Sequence, residues 1–84
     1  MNKDKILLSV YLPAGDKVIE ARVPRGLKVA LVTEMLADMM KRAEGDFIPT
    51  GNELLCDKKS GMIFDTNVFI ENLGLHNGSE VMLL

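Results

Sequence analysis

The chain has 84 residues, of which 48% are hydrophobic, and its 10 Lys and Arg against 12 Asp and Glu give a net charge of -2. These values are typical of one small globular domain, residues 1–84, without the basic excess that nucleic-acid binding requires. The single cysteine, Cys56, excludes an intramolecular disulfide, and no apolar run approaches the roughly 20 residues that cross a bilayer. We therefore expect a cytoplasmic protein that binds no nucleic acid and does not insert directly into a membrane.

The first two elements are predicted to form a β-hairpin. Residues 5–12 and 17–23 both alternate apolar with other side chains, which is the period of a half-buried strand. Pro13-Ala14-Gly15-Asp16 between them has turn chemistry. The apolar face that should cover the core comprises Ile6, Leu8, Val10, Leu12, Ile19, Ala21 and Val23.

Residues 27–44 are predicted to form one long helix, because they lack Pro and Gly and are rich in good helix formers. At about 100° per residue, one apolar stripe should pack on the hairpin. Leu31 and Met35 fall beside the charged residues instead, on the side that should face solvent. The stripe comprises Val29, Val32, Leu36, Met39, Met40 and Ala43.

The remaining residues predict short elements separated by turns. Residues 53–57 and 62–64 are expected to be brief strands, and 68–73 a turn of helix or a loop. A last strand is expected over 80–84. Hairpin, helix, short strands and last strand follow the β-grasp order: an α+β fold with a mixed sheet of four to five strands on one long helix. In that arrangement the last strand pairs parallel to the first; a different α+β roll is the alternative.

Residues 73–83, LGLHNGSEVML, resemble the segment before and within the last strand of ubiquitin-like domains. Leu73 and Leu75 should close the open end of the core, and Asn77-Gly78 should supply the positive φ values of a tight turn. Together with the chain length, this segment resembles the YukD/EsaB family of small bacterial ubiquitin-like proteins. The resemblance implies a cytoplasmic accessory or regulatory protein of type VII secretion in Gram-positive bacteria. Its partner would be a protein, such as a membrane or ATPase component of that system.

The sequence offers few groups for chemistry, and we expect neither an enzyme nor a bound cofactor or metal. No Gly-Gly occurs, and Leu84 falls on a predicted strand, so we expect no conjugation through the C-terminus. Cys56 lies between an apolar and an anionic neighbour, which should raise its pKa, and His76 is expected in an exposed turn. The alternative function is a carrier or adaptor of another bacterial pathway, loaded at its C-terminus or at Cys56.

A protein-binding surface is therefore the leading hypothesis. The outer face of the sheet should carry Leu7, Tyr11, Val18, Met82 and Leu84, more apolar area than a solvated face needs. Leu31 and Met35 form a candidate second patch on the helix. The alternative for these two is that they pack under the loop around Phe47 or Phe64. A homodimer, formed through an open edge strand or the sheet face, is also compatible with the sequence.

Overall fold

The computed structural model describes residues 4–84 and contains one four-stranded sheet with one long helix. The strands are β1 (Lys5–Leu12), β2 (Lys17–Pro24), β3 (Leu55–Asp57) and β4 (Ser79–Leu83), and the helix is α1 (Val29–Ala43). Short 3-10 helices cover Pro13–Gly15 and Ile70–Asn72. The strand order is β2-β1-β4-β3, with β1 and β4 parallel and the outer pairs antiparallel. This confirms the predicted α+β architecture and its parallel central pair.

The hairpin forms as predicted, except that β2 continues one residue further, to Pro24. The Arg25 N–H donates to the Asp4 carbonyl at 2.8 Å. Because hydrogen-bonded pairs alternate along an antiparallel ladder, the odd-numbered residues of β2 bond to β1 and the even-numbered ones direct their backbone groups outward. Pro24 therefore sits where no donor to β1 is required, which explains why the strand tolerates it.

The helix begins at Val29 rather than at Leu27, because the preceding residues are held by other contacts. The Leu27 carbonyl accepts a hydrogen bond from the Ile70 N–H at 2.9 Å. The first helical N–H groups, of Val29 and Ala30, donate to carbonyls of Val68 and Thr66 at 2.9 and 3.1 Å. A long-range loop thus satisfies donors that a side-chain cap would otherwise serve. At the other end the helix stops at Ala43, one residue before the predicted end.

The core lies between α1 and one face of the sheet, but the buried stripe is rotated from the predicted one. Thr33 and Ala37 are buried, whereas Met39 is half-buried and Ala43 is exposed. The Thr33 hydroxyl donates to the Val29 carbonyl at 2.8 Å, so its burial leaves no unpaired polar group. The buried residues of the helix are Val29, Val32, Thr33, Leu36, Ala37 and Met40.

The second half of the chain contains less strand than predicted. Residues 62–64 form a single antiparallel bridge between Ile63 and Cys56 instead of a strand, and Phe69 forms one with Lys28 before the 3-10 helix. Leu73 and Leu75 pack against the core, in agreement with the prediction for this turn.

In the turn before β4, Asn77 and Gly78 have different roles, whereas both were predicted to supply positive φ values. Gly78 has a φ of +91°, and Gly74 a φ of +73°, while Asn77 has no positive φ. The Asn77 side chain accepts a hydrogen bond from the Leu7 N–H at 2.8 Å, and the Gly78 N–H donates to the Leu7 carbonyl at the same distance. Asn77 therefore fixes the turn to β1 by its side chain, and Gly78 supplies the backbone conformation.

Candidate functional site

The outer face of the sheet carries one continuous row of mainly apolar side chains. Tyr11 of β1 lies opposite Val18 of β2 and beside Met82 of β4. Met82 pairs with Cys56 of β3, and Cys56 bridges to Ile63. Residues paired across neighbouring strands present their side chains on the same face. We call these five residues the sheet-face row; it crosses all four strands and the bridged segment beyond them.

Exposure along the sheet-face row is greatest at its two ends. Val18 and Ile63 are each 54% exposed, while Tyr11 and Met82 are half-buried and Cys56 is buried. The centre of the row is thus packed against its neighbours, and the ends leave apolar side chains open to solvent. The exposed side chains, Val18 and Ile63, are β-branched, so ordering them on binding costs little rotamer freedom.

Charged groups surround Tyr11 at the centre of the row. Its hydroxyl donates to Asp16 Oδ1 at 3.1 Å, and this hydrogen bond raises the pKa of Tyr11 above its ordinary value. The Lys58 ammonium lies 5.0 Å from the centre of the tyrosine ring and 3.4 Å from Glu80 Oε2. Lys58 therefore reaches from the end of β3 across β4 and holds a positive charge over an aromatic face.

Of the two other residues predicted on this face, Leu84 extends the apolar surface of the row and Leu7 is separated from it. Leu84 is 54% exposed, and its backbone N–H and carbonyl exchange hydrogen bonds with Leu54 at 2.9 and 3.0 Å. Leu54 is itself partly exposed, so the two leucines extend the apolar surface past Met82. Leu7 is half-buried next to Arg22, four residues from Tyr11, or about 13 Å along the strand. Polar Ser9 separates them, so Leu7 is not continuous with the row.

The structure places both helix residues on the surface. Leu31 is 50% exposed and Met35 is 36% exposed. Phe47 and Phe64, under whose loops they were alternatively expected to pack, lie against the main core. That alternative is wrong, and the helix patch remains a candidate contact surface.

No family model matches this chain, and no curated protein matches it. Among solved structures it resembles a chain of the toluene 4-monooxygenase HD complex with 4-bromobenzoate, with a TM-score of 0.80 and 14% identity over 94% of this chain and 95% of the other. It also resembles the ubiquitin-like domain of EccD1 from the type VII secretion system of Mycobacterium tuberculosis, with a TM-score of 0.77 and 11% identity over 95% and 97% of the two chains. The fold is ubiquitin-like. A third neighbour is a chain of the MycP5-free ESX-5 inner membrane complex, with a TM-score of 0.79, 15% identity, and coverage of 96% of this chain and 21% of the other.

In this ubiquitin-like fold Cys56 lies in surroundings that lower the reactivity of its thiol. The thiol is buried, and burial, followed by the charge of Asp57, raises its pKa above the ordinary value. The sulfur also lies 3.6 Å from the Met82 carbonyl. A thiol in these surroundings is held in its neutral form at pH 7, so it does not serve as a nucleophile without a local opening.

The other polar residues considered in the sequence take structural roles. His76 is exposed in the turn before β4, as predicted, and its backbone N–H donates to Ser79 Oγ at 2.9 Å. Asp57 accepts hydrogen bonds from the backbone and hydroxyl of Ser60, which lower its pKa, and Asp65 accepts one from the Asn67 N–H. Within residues 4–84 no cluster of three or more His, Cys, Asp or Glu could hold a metal ion. No helix there is long and apolar enough to span a membrane.

Three features of the site were missed by reasoning from sequence. Ile63, Leu54 and Lys58 join the outer face through pairings with Cys56, Leu84 and Glu80. Leu54 and Ile63 belong to the short predicted strands 53–57 and 62–64, but the sequence does not show how these strands pair, and Lys58 lies in a predicted turn. The apolar residues around Cys56 were the one sequence feature that indicated an apolar surface at this place.

Proposed function

We propose that this chain is a non-enzymatic ubiquitin-like interaction module that serves type VII secretion in an accessory or regulatory role, in the manner of the YukD/EsaB family. Two observations support it: the structural likeness to ubiquitin-like domains of secretion components, and the segment 73–83 that resembles that family. Its place would be the cytoplasm of a Gram-positive bacterium, and its partner a protein.

The sheet-face row is the single observation that carries the interaction part of the proposal. Its exposed ends at Val18 and Ile63 supply apolar anchors, and the charges of Asp16, Lys58 and Glu80 surround the centre. This distribution, with apolar anchors beside a polar border, is that of a protein-binding surface. The partner that fits is the cytoplasmic part of a membrane or ATPase component of the secretion system, and a nucleic acid does not fit a chain of net charge -2.

Loading of Cys56 as a carrier is disfavoured by the surroundings of its thiol. An activated thioester requires an accessible thiolate, whereas this sulfur is buried and its pKa is raised. We therefore propose that Cys56 fills a buried position within the sheet-face row and does not carry a group.

The test is a direct binding measurement with purified cytoplasmic domains of the host's type VII membrane and ATPase components. Ile63→Glu should weaken binding at least about 30-fold, or about 2 kcal/mol, because it places a carboxylate at an apolar anchor. Ile48→Glu is the matched control, since Ile48 is 79% exposed and does not belong to the row. Equal binding by wild type and Ile63→Glu would contradict the proposed surface, and no binding to any component would contradict the proposed role.

The helix patch is a proposed second contact of the same partner. Leu31→Glu should weaken binding by a smaller factor, about three- to tenfold, because the side chain is half-exposed and lies in a patch of only two apolar residues. Unchanged affinity in this variant would restrict the interface to the sheet.

A further inference from the structure

The free edge of β2 has unsatisfied backbone groups along its length. The register with β1 leaves the N–H and carbonyl groups of Val18, Glu20 and Arg22 directed away from the sheet. No backbone or side-chain group of residues 4–84 is hydrogen-bonded to them. At this edge the Pro24 carbonyl is also directed outward, while its nitrogen has no hydrogen to donate. The edge therefore offers a ladder of donors and acceptors that ends at a proline.

The edge carries charged side chains and ends at Pro24, but it has no β-bulge that would twist it away from a second strand. Its pairing with β1 runs without a bulge from Lys5 and Pro24 to Leu12 and Lys17. Ile19, Ala21 and Val23 face the core from the middle of β2, and the charged residue on that face, Lys17, lies at the start of the strand, where it pairs with Glu44. Long, regular edges of this kind pair with other strands unless something covers them.

We propose that the β2 edge pairs with the β2 edge of a second copy of this chain, antiparallel and centred on Ala21. In this register Glu20 lies opposite Arg22 of the second copy, and by symmetry the second copy's Glu20 lies opposite Arg22. Both residues belong to the outward-directed set, so each pair exchanges two backbone hydrogen bonds. The Val18 N–H meets the Pro24 carbonyl of the second copy at either end.

Charge selects this register over its neighbours. The nearest alternative registers that keep each side chain on its own face of the sheet slide one strand past the other by two residues. One such shift places Glu20 against Glu20 of the second copy, and the opposite shift places Arg22 against Arg22 of the second copy. Like charges directly opposite are destabilising, so the Glu20–Arg22 register is favoured over both.

The ends of the ladder are compatible with this pairing. Lys17 would approach Arg25 of the second copy, but its ammonium already lies 3.8 Å from Glu44 of its own chain. Arg25 lies beyond the end of β2 and so outside the regular ladder. The two-fold axis is perpendicular to the sheet, so the dimer would be one eight-stranded sheet with both sheet-face rows on the same side. This inference does not rest on the proposed secretion role.

The experiment is sedimentation equilibrium of the full chain at concentrations up to about 1 mM, because a single strand pair buries a small interface. Wild type should form dimers. Glu20→Arg alone and Arg22→Glu alone should each weaken self-association at least about tenfold, since each brings like charges together at two symmetry-related places. Circular dichroism spectra and thermal melts establish that each variant is folded.

Mixing the two charge variants distinguishes the edge from other surfaces. The copy with Glu20→Arg is basic at both positions and the copy with Arg22→Glu is acidic at both, so the mixture should recover dimers as heterodimers. Ile63→Glu, at the far side of the sheet, should dimerise as well as wild type. A monomeric wild type, a dimer that both charge variants retain, or a dimer abolished by Ile63→Glu would each overturn the proposal.

Discussion

The Cys56 thiol should react with an alkylating reagent only when the protein opens locally. The sulfur is buried, and the segment beside it, residues 62–64, is held to β3 by hydrogen bonds from the Asp57 N–H to the Met62 carbonyl and from the Phe64 N–H to the Leu55 carbonyl, at 2.8 and 2.9 Å. At about 1 kcal/mol net for each of these bonds, with about 1 kcal/mol for burial at Ile63, opening this segment costs about 3 kcal/mol. The native thiol should therefore react about 150-fold more slowly than the same thiol in denatured protein.

The assay is the reaction rate with a chromogenic disulfide at pH 8, measured in buffer and in a series of urea concentrations. Local opening predicts a rate that depends weakly on urea below the unfolding transition, because little surface is exposed. Ile63→Ala should accelerate the native reaction by about fivefold by weakening the cover beside the thiol. A native rate equal to the denatured rate would refute the reasoning and would restore Cys56 as a candidate for loading.

Three further predictions concern pH and backbone conformation. The hydrogen bond to Asp16 raises the pKa of Tyr11 in the folded state, so the contribution of Tyr11 to the free energy of unfolding is complete below pH 10 and is lost as pH rises through the raised pKa. The urea midpoints of wild type and Tyr11→Phe should therefore converge as pH rises through that pKa. The hydrogen bonds from Ser60 lower the pKa of Asp57 in the folded state, so the contribution of Asp57 to the free energy of unfolding is complete above about pH 5 and is lost as pH falls through the folded-state pKa. Asp57→Asn should remove this part of the acid sensitivity, and an identical midpoint profile from pH 7 to 2 would contradict it. Gly78→Ala should lower the unfolding free energy by about 1–2 kcal/mol because of its φ of +91°, whereas Gly26→Ala, at an open position with no positive φ, should not destabilise the protein.

The elements that the sequence predicted best are those whose signal is local. Every second residue of both hairpin strands is apolar and turn residues separate the strands, so β1 was placed without error and β2 to within one residue. The last strand and its turn were identified by a resemblance that has a physical basis, since Leu73 and Leu75 pack on the core and Gly78 adopts a positive φ.

The elements predicted less well depend on distant contacts. Thr33 is buried because its hydroxyl bonds back to Val29, a compensation that a hydropathy pattern does not register. Ile63 joins the outer face through one bridge to Cys56, and Lys58 reaches Tyr11 across an intervening strand. These positions depend on how segments far apart in sequence meet, so the sequence indicated the outer apolar surface but not all of the residues that form it.

Tyr11 also makes the sheet face optically distinct from the rest of the molecule. The chain has one tyrosine and no tryptophan, so its ultraviolet emission arises from the ring at the centre of the sheet-face row. The hydrogen bond to Asp16 offers an excited tyrosine an acceptor for its proton, and the Lys58 ammonium lies against the ring. A ligand that displaces either contact would change the emission intensity or lifetime, so occupation of this face can be followed without attaching a dye.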